Sequence, residues 1–216
     1  GSRSIRQEAA ICRLPICCGA IWPASVTLTT PSEPTVRLCA PFGTVRFGSD
    51  VDIGLTGFGA ANGIETIDFS ALTGQGRLLG DGNANVLDFS GTTLVGHVVI
   101  DGGSGDDRIA GSAGAEILIG GNGNDVLSGK AGNDLLYGGS GRDVFAFDAA
   151  GWGRDTVADY RDNYDKLDMR GSGAANFAAL TVAQVGVDTV VSVGGDEIVL
   201  QGINAHSITQ SDFIFA

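Results

Sequence analysis

Residues Gly102–Ala146 divide without a gap into five nine-residue units, GGSGDDRIA, GSAGAEILI, GGNGNDVLS, GKAGNDLLY and GGSGRDVFA. No other feature limits the possible folds as much. The first six residues of a unit are rich in Gly, which tolerates positive φ and close backbone approach, so they predict a turn. The last three predict a short strand whose middle side chain points inward. Those middle residues are Ile109, Leu118, Leu127, Leu136 and Phe145, all apolar. The sixth residues are Asp107, Glu116, Asp125, Asp134 and Asp143, all carboxylates. A Gly- and Asp-rich run otherwise reads as a flexible linker. An apolar residue at every eighth position argues against that reading. A carboxylate and bare carbonyls converging at a turn offer the hard oxygen donors that Ca²⁺ takes.

The period extends before the strict repeat. Asn62–Gly74 and Asn83–Leu94 share an IDFS/LDFS core. Two apolar series run through both regions. One is Ile67, Leu87, Ile109, Leu127 and Phe145; the other is Leu79, Val99, Leu118 and Leu136. Together they predict a coil with two strands per turn, its successive coils stacked as parallel strands about 4.8 Å apart. Phe69 and Phe89 are expected to form a further row at the less regular end. The phase also sorts the turns. Those starting at Gly102, Gly120 and Gly138 fall on one side, with full consensus; those at Gly111 and Gly129 fall on the other. The second side carries Ser112 and Lys130 where the first has Gly, and Glu116 where the first has Asp. A non-Gly residue resists positive φ, and Glu reaches one methylene further than Asp, so the two sides are expected to bind metal unequally.

The rest of the chain differs in kind. Residues 1–48 hold Cys12, Cys17, Cys18 and Cys39 and all five prolines. They read as a poorly ordered or capping leader. Ile11–Val26 follows Arg3 and Arg6 in the outline of a secretory signal, but Glu8, Arg13 and Pro15 interrupt the pattern. There is no C-x-x-C, and His97 and His206 are distant, which speaks against zinc. The net charge is −12, and residues 50–216 hold 23 of the 25 acidic residues. That half repels nucleic acid and anionic membranes and attracts divalent cations. No apolar run is long enough for a transmembrane helix. Residues 49–146 are expected to form the roll and 147–216 a C-terminal cap. Phe147–Gly153 breaks phase, with Trp152 placed to cover the open end. The acidic run Asp155–Asp168 lacks the Gly of an EF-hand and reads as solvated surface or as one more cation site. DTVVSV and DEIVLQ, joined by Gly194–Gly195, predict a β-hairpin.

The nonapeptides resemble those of the RTX (repeats-in-toxin) family of bacterial exported proteins. Residues 155–216, with RDTVADYRDNYDKLDM and ITQSDFIFA, resemble the region after the roll in serralysin-type proteases and related exoproteins. The resemblance implies an all-β fold: a parallel β-roll (a right-handed β-helix with two short strands per coil) followed by a small antiparallel β cap. It implies several Ca²⁺ ions held between turns of the same side. On the first side the ligands would be Gly103, Gly105, Asp107, Gly120, Gly121, Gly123, Asp125, Gly138, Gly139, Gly141 and Asp143. On the second they would be Gly114, Glu116, Gly132 and Asp134. The resemblance also implies one-step export by an ABC-type (type I) machinery that reads an uncleaved C-terminal signal, to which Asp212, Phe213, Ile214 and Phe215 are similar. An edge strand of the cap is the structural alternative for those residues.

Nothing in the sequence points to catalysis. The H-E-x-x-H of the serralysins is missing, and so is G-x-S-x-G. The favoured reading is a noncatalytic calcium-binding module of a secreted, extracellular protein. Two others stay open. One is a carbohydrate-binding or adhesive module, with Arg108, Lys130, Arg142 and Arg154 lining a polysaccharide track. The other is the C-terminal fragment of a secreted hydrolase or epimerase.

Overall fold

The computed structural model describes residues 27–30, 33–37, 43–46, 52–55, 57–58 and 64–216. Much of the 1–48 leader, including all four cysteines, lies outside the described residues. Among those described there is no α-helix, only strands and two short 3₁₀ turns. The chain is all-β, a parallel β-solenoid with an antiparallel meander near its C-terminus.

Two walls face each other. One consists of Val86–Asp88, Arg108–Ala110, Val126–Ser128, Val144–Ala146, Lys166–Asp168 and Phe213–Ile214, all parallel. In its register Leu87, Ile109, Leu127, Phe145, Leu167 and Phe213 form one row. The opposite wall stacks Gly76–Leu79, Val98–Ser104, Glu116–Asn122, Leu135–Ser140, Arg154–Val157 and Asp196–Leu200. Its inward row is Leu78, Ile100, Leu118, Leu136, Val157 and Leu200, all 0% exposed. Burying a side chain of this size is worth about 1.5–3 kcal/mol, so these two rows drive the collapse of an otherwise glycine-rich chain.

Three sequence expectations are corrected. Leu78 and Ile100 fill the inward row in place of Leu79 and Val99. Side chains alternate along a strand, so turning Leu79 inward would bring Arg77 with it, and turning Val99 inward would bring Asp101. Ile67 does not join the row of Leu87. It pairs with Val45 and Leu94 in a third, three-stranded sheet of Gly43–Arg46, Ile64–Asp68 and Thr93–Val95. The coils before Gly102 are longer and carry this extra wall, and the expected two strands per coil begin only with the nonapeptides. At this irregular end Phe89 stacks on Phe58, with ring centroids 4.3 Å apart, and Phe69 belongs to the third wall, buried under Gly76.

The solenoid does not stop at Ala146. After the three-residue insertion Phe147–Ala149, residues 150–158 resume the phase. Gly153 bridges to Gly132, and Thr156 and Val157 pair with Leu135 and Leu136. Gly151, Gly153, Asp155 and Val157 therefore occupy positions two, four, six and eight of a further unit. Residues 160–168, YRDNYDKLD, form another, with Asp165 sixth and Leu167 eighth. It has no glycine, and Asn163 takes the positive φ of 66° at position four. Trp152 lies inside this stack, 3% exposed, tilted against Phe147 at 5.3 Å, and does not cover an open end. Asp188–Val193 and Asp196–Leu200 form the expected hairpin through Gly194 and Gly195, both at positive φ. The Phe213–Ile214 strand extends the parallel wall itself, beside Lys166–Asp168.

Candidate metal-binding turns

Every nonapeptide places its sixth residue at the mouth of a turn, and in all but the second, whose Glu116 folds back, it reaches the neighbouring coil. On the first side Asp107 Oδ1 accepts from the Asn85 amide at 2.7 Å, and Asp125 Oδ1 from the Asp107 amide at 2.7 Å. Asp143 Oδ1 accepts from the Asp125 amide and Asp165 Oδ1 from the Asp143 amide, both at 3.0 Å. This long row runs Asn85, Asp107, Asp125, Asp143, Asp165. On the second side Asp134 Oδ1 accepts from the Glu116 amide at 2.8 Å and Asp155 Oδ1 from the Asp134 amide at 2.9 Å. The short row is Glu116, Asp134, Asp155. The two-sided sorting of the carboxylates read from the sequence is thus the sorting in the fold.

Only one oxygen of each carboxylate is used this way. The Oδ2 atoms of Asp107, Asp125, Asp134 and Asp155 are buried and have no hydrogen-bond partner. A buried polar atom without a partner costs about 1–3 kcal/mol, and more when charged. The first glycine of each unit makes room for this oxygen. A Cβ on Gly120 would collide with Asp125 Oδ2, and one on Gly129 with Asp134 Oδ2. The fourth glycine lies under the previous coil, so that a Cβ on Gly123 would strike the Gly105 carbonyl. Its φ of 133° is in the left-handed region. Carbonyls and a free carboxylate oxygen are left facing one another at the turn, a donor set that suits a hard cation such as Ca²⁺. Among the described residues no three Asp, Glu, His or Cys side chains converge on one point, so the backbone must supply part of any ligand shell.

Burial sets the electrostatics. Asp107, Glu116 and Asp143 are all raised above the ordinary carboxylate range, first because they are desolvated. Desolvation pushes Asp125 up to about 6, Asp155 to about 7 and Asp134 to about 8; carboxylates of the same row add to it at Asp125 and Asp134, and Asp196 adds to it at Asp155. A bound cation reverses this logic by stabilising the ionised form.

The degenerate positions behave individually. Glu116 folds back on its own turn: Oε1 accepts from the Ser112 hydroxyl at 2.6 Å and Oε2 from the Ser112 amide at 3.0 Å. Both of its oxygens are therefore engaged locally. Lys130 holds φ at 73°, and its ammonium pairs with Asp148 at 3.0 Å. Its charge is directed to Asp148 and not to Asp134. Of the two readings of the acidic run from Asp155 to Asp168, solvated surface is corrected for three of its members: Asp155, Asp165 and Asp168 are all buried. Asp155 and Asp165 are rungs of the two rows. The D-x-U spacing of Asp155–Val157 and Asp165–Leu167 is the signal that identifies them, hidden by the insertion before the first and by the loss of glycines around the second. Asn85 marks the same position at the other end of the long row.

The four basic residues do not line up as one track. Lys130 is paired with Asp148 and Arg154 with Glu197 on the short-row side, whereas Arg108 and Arg142 belong to the opposite side. Asp212 is buried, accepting from the Thr209 amide at 2.8 Å and from the Tyr160 hydroxyl at 3.2 Å.

Residues 94–157 match the RTX calcium-binding nonapeptide repeat in four overlapping copies, 94–115, 99–127, 111–145 and 119–157. No curated protein matches the chain. Among solved structures, the AlgE6R3 subunit of the Azotobacter vinelandii mannuronan C5-epimerase is 24% identical, with a TM-score of 0.39 over 66% of this chain and 78% of that one. The AlgE6R2 subunit of the same enzyme is also 24% identical, with a TM-score of 0.35 over 66% of this chain and 91% of that one. The extracellular lipase LipA of Serratia marcescens is 17% identical, with a TM-score of 0.39 over 81% of this chain and 40% of that one.

Proposed function

We propose, for a chain whose roll is built from RTX calcium-binding nonapeptide repeats, that it is the noncatalytic folding module of a secreted bacterial protein, exported unfolded and folded by Ca²⁺ outside the cell. The observation that carries this reading is the set of four buried Oδ2 atoms, on Asp107, Asp125, Asp134 and Asp155, that no protein group satisfies. Calcium supplies the missing charge. The intervals between the 102 and 120 turns, between the 120 and 138 turns and between the 129 and 150 turns each have a free Oδ2 facing bare carbonyls. These three hold ions. The interval between the 111 and 129 turns is closed by Glu116 and Ser112, which partner each other.

The energetic scale agrees with a folding role. One site held at a hundred times its Kd stabilises by about 2.7 kcal/mol. Three such sites match the roughly 5–15 kcal/mol of a whole domain. Calcium in the millimolar range, where extracellular modules bind, fills them; cytosolic calcium does not. Export by an ABC-type machinery that reads Asp212–Ala216 fits this order of events, because Phe213–Ile214 is a strand of the folded wall and is accessible only before folding. Circular dichroism of the chain in EGTA and then in millimolar Ca²⁺ tests the reading. The full β spectrum and a cooperative melt are expected only with Ca²⁺. The same spectrum and melting temperature in both conditions would reject it.

A further inference from the structure

The last interval of the long row, between the 138 turn and the 160 turn, differs from those below it. Its upper turn belongs to the glycine-free unit, and the residue at position two of that unit is Arg161. The Arg161 side chain turns back into the interval. Its Nη2 donates to the Gly141 carbonyl, to Asp143 Oδ2 at 3.3 Å and to Asp165 Oδ1 at 3.1 Å. Its Nε lies 3.4 Å from Asp165 Oδ2, and its backbone amide donates to the same oxygen at 2.8 Å. The face of Tyr164 lies 6.0 Å from the guanidinium carbon.

Gly141 and Asp143 are positions four and six of their unit. Gly105 and Asp107, and likewise Gly123 and Asp125, are the same positions in the two units below. There the Oδ2 is orphaned; here it has a partner. The side chains of Asp143 and Asp165 are 0% and 1% exposed, so two buried carboxylates share one permanent positive charge, that of the partly exposed Arg161. Asp159 completes the turn by accepting from the Gly138 and Gly139 amides at 2.9 and 2.8 Å.

We infer that Arg161 is a tethered cation that fills the terminal metal interval of the long row and closes the calcium ladder with a charge from the chain itself. This inference rests on the calcium-binding reading above. Its consequence is that the C-terminal end of the row is partly neutralised before any metal arrives. A guanidinium is held by the backbone and needs no free ion, so this end serves as the preformed edge on which the metal-dependent coils stack. The positions below have only glycine at position two and bring no charge of their own.

The test uses the full chain and Ca²⁺ alone. Calorimetric titration of wild type gives the reference number of ions, and Arg161→Gln, which keeps the length but loses the charge, is titrated beside it. The variant is expected to bind one more Ca²⁺ per chain than wild type and to fold at saturating Ca²⁺. In metal-free buffer, hydrogen exchange at the Gly138, Gly139 and Asp143 amides is expected to be at least tenfold faster in the variant. Arg161→Lys, which retains a cation, is expected to keep the wild-type count. An unchanged ion number for Arg161→Gln overturns the inference, as does its failure to fold at any Ca²⁺ concentration, because an ion would then be unable to replace the guanidinium. Wild type that binds no Ca²⁺ overturns the calcium-binding reading as well.

Discussion

The long and short rows share one backbone and differ in what closes their ends. In both, a sixth-position carboxylate accepts from the amide one coil below, and a fourth-position glycine lies against a carbonyl of that coil. The long row starts at the neutral Asn85 and ends at Arg161 and Asp165, so its interior carboxylates Asp107 and Asp125 are left for metal. The short row starts at Glu116, which its own Ser112 already partners, and continues to Asp155. Glycine pattern determines where a turn can form. The identity and reach of one carboxylate, together with the neighbours at the row's ends, determine whether that turn is available to a cation.

If the two rows are equivalent in backbone, the same lesion must cost the same in each. Gly123→Ala and Gly132→Ala place a Cβ at φ values of 133° and 138° and against the carbonyls of Gly105 and Gly114. Strain at such a φ costs about 1–3 kcal/mol and steric overpacking about as much again, giving about 4 kcal/mol for each variant. Urea unfolding at saturating Ca²⁺ is expected to return nearly equal losses. A gap of several kcal/mol would break the equivalence.

Acidity should separate the rows. Asp107, Glu116, Asp125, Asp134, Asp143 and Asp155 have folded-state pKa values above their ordinary one, so the metal-free fold holds protons that the unfolded chain releases. That stabilisation is fully present below a pH of about 4. It is lost as pH rises through about 6 for Asp125, about 7 for Asp155 and about 8 for Asp134. Metal-free chain is therefore expected to gain structure on acidification. Ca²⁺ must displace these protons, so its affinity is expected to fall as pH drops from about 8 to about 6, earlier on the short row than on the long one. Calcium titrations across that range check both statements, and pH-independent affinity would contradict them.

A smaller effect sharpens the contrast at one residue. Lys130→Gly relieves a side chain held at a φ of 73° and removes its exposed pair with Asp148. Left-handed strain of about 1 kcal/mol set against a surface pair worth about 0–1 kcal/mol predicts a net gain below about 1 kcal/mol. The shift of the urea midpoint measures it. A loss would mean that the Lys130–Asp148 pair matters more than the backbone at that turn.

The sequence made the two rows legible because nine-residue phase is strict between Gly102 and Ala146. Leu87, Ile109, Leu127 and Phe145 fall in one row, as that phase requires, and the carboxylates of the five units sort to the two sides as expected. Outside that stretch the phase is carried by fewer residues. At Leu78 and Ile100 the apolar neighbours Leu79 and Val99 mask the register, and only the alternation with Arg77 and Asp101 resolves it. Ile67 shares its motif with Leu87 but lies on a third wall that no short-period pattern announces. The unit at 150–158 follows a three-residue insertion and keeps only Gly151 and Gly153, and the unit at 160–168 follows one more inserted residue, Asp159, and has no glycine. Ala150 stands at position one of the first unit, and Tyr160, Arg161 and Asn163 stand at the three glycine positions of the second, so the repeat is masked there although Asp155 and Asp165 are both buried.

The central claim is that carboxylates free at Oδ2 hold calcium between coils and that the rows do so unequally. Asp125 lies between Asp107 and Asp143 and, on the proposed reading, would serve the intervals on both of its sides. Asp134 has the free Asp155 on one side and the self-partnered Glu116 on the other. Calcium titration of wild type, Asp125→Ala and Asp134→Ala, with ion number and affinity read from the same calorimetric trace, tests this directly. The predicted result is a loss of two ions for Asp125→Ala and of one for Asp134→Ala. Equal losses for the two variants, or no loss for either, would contradict it.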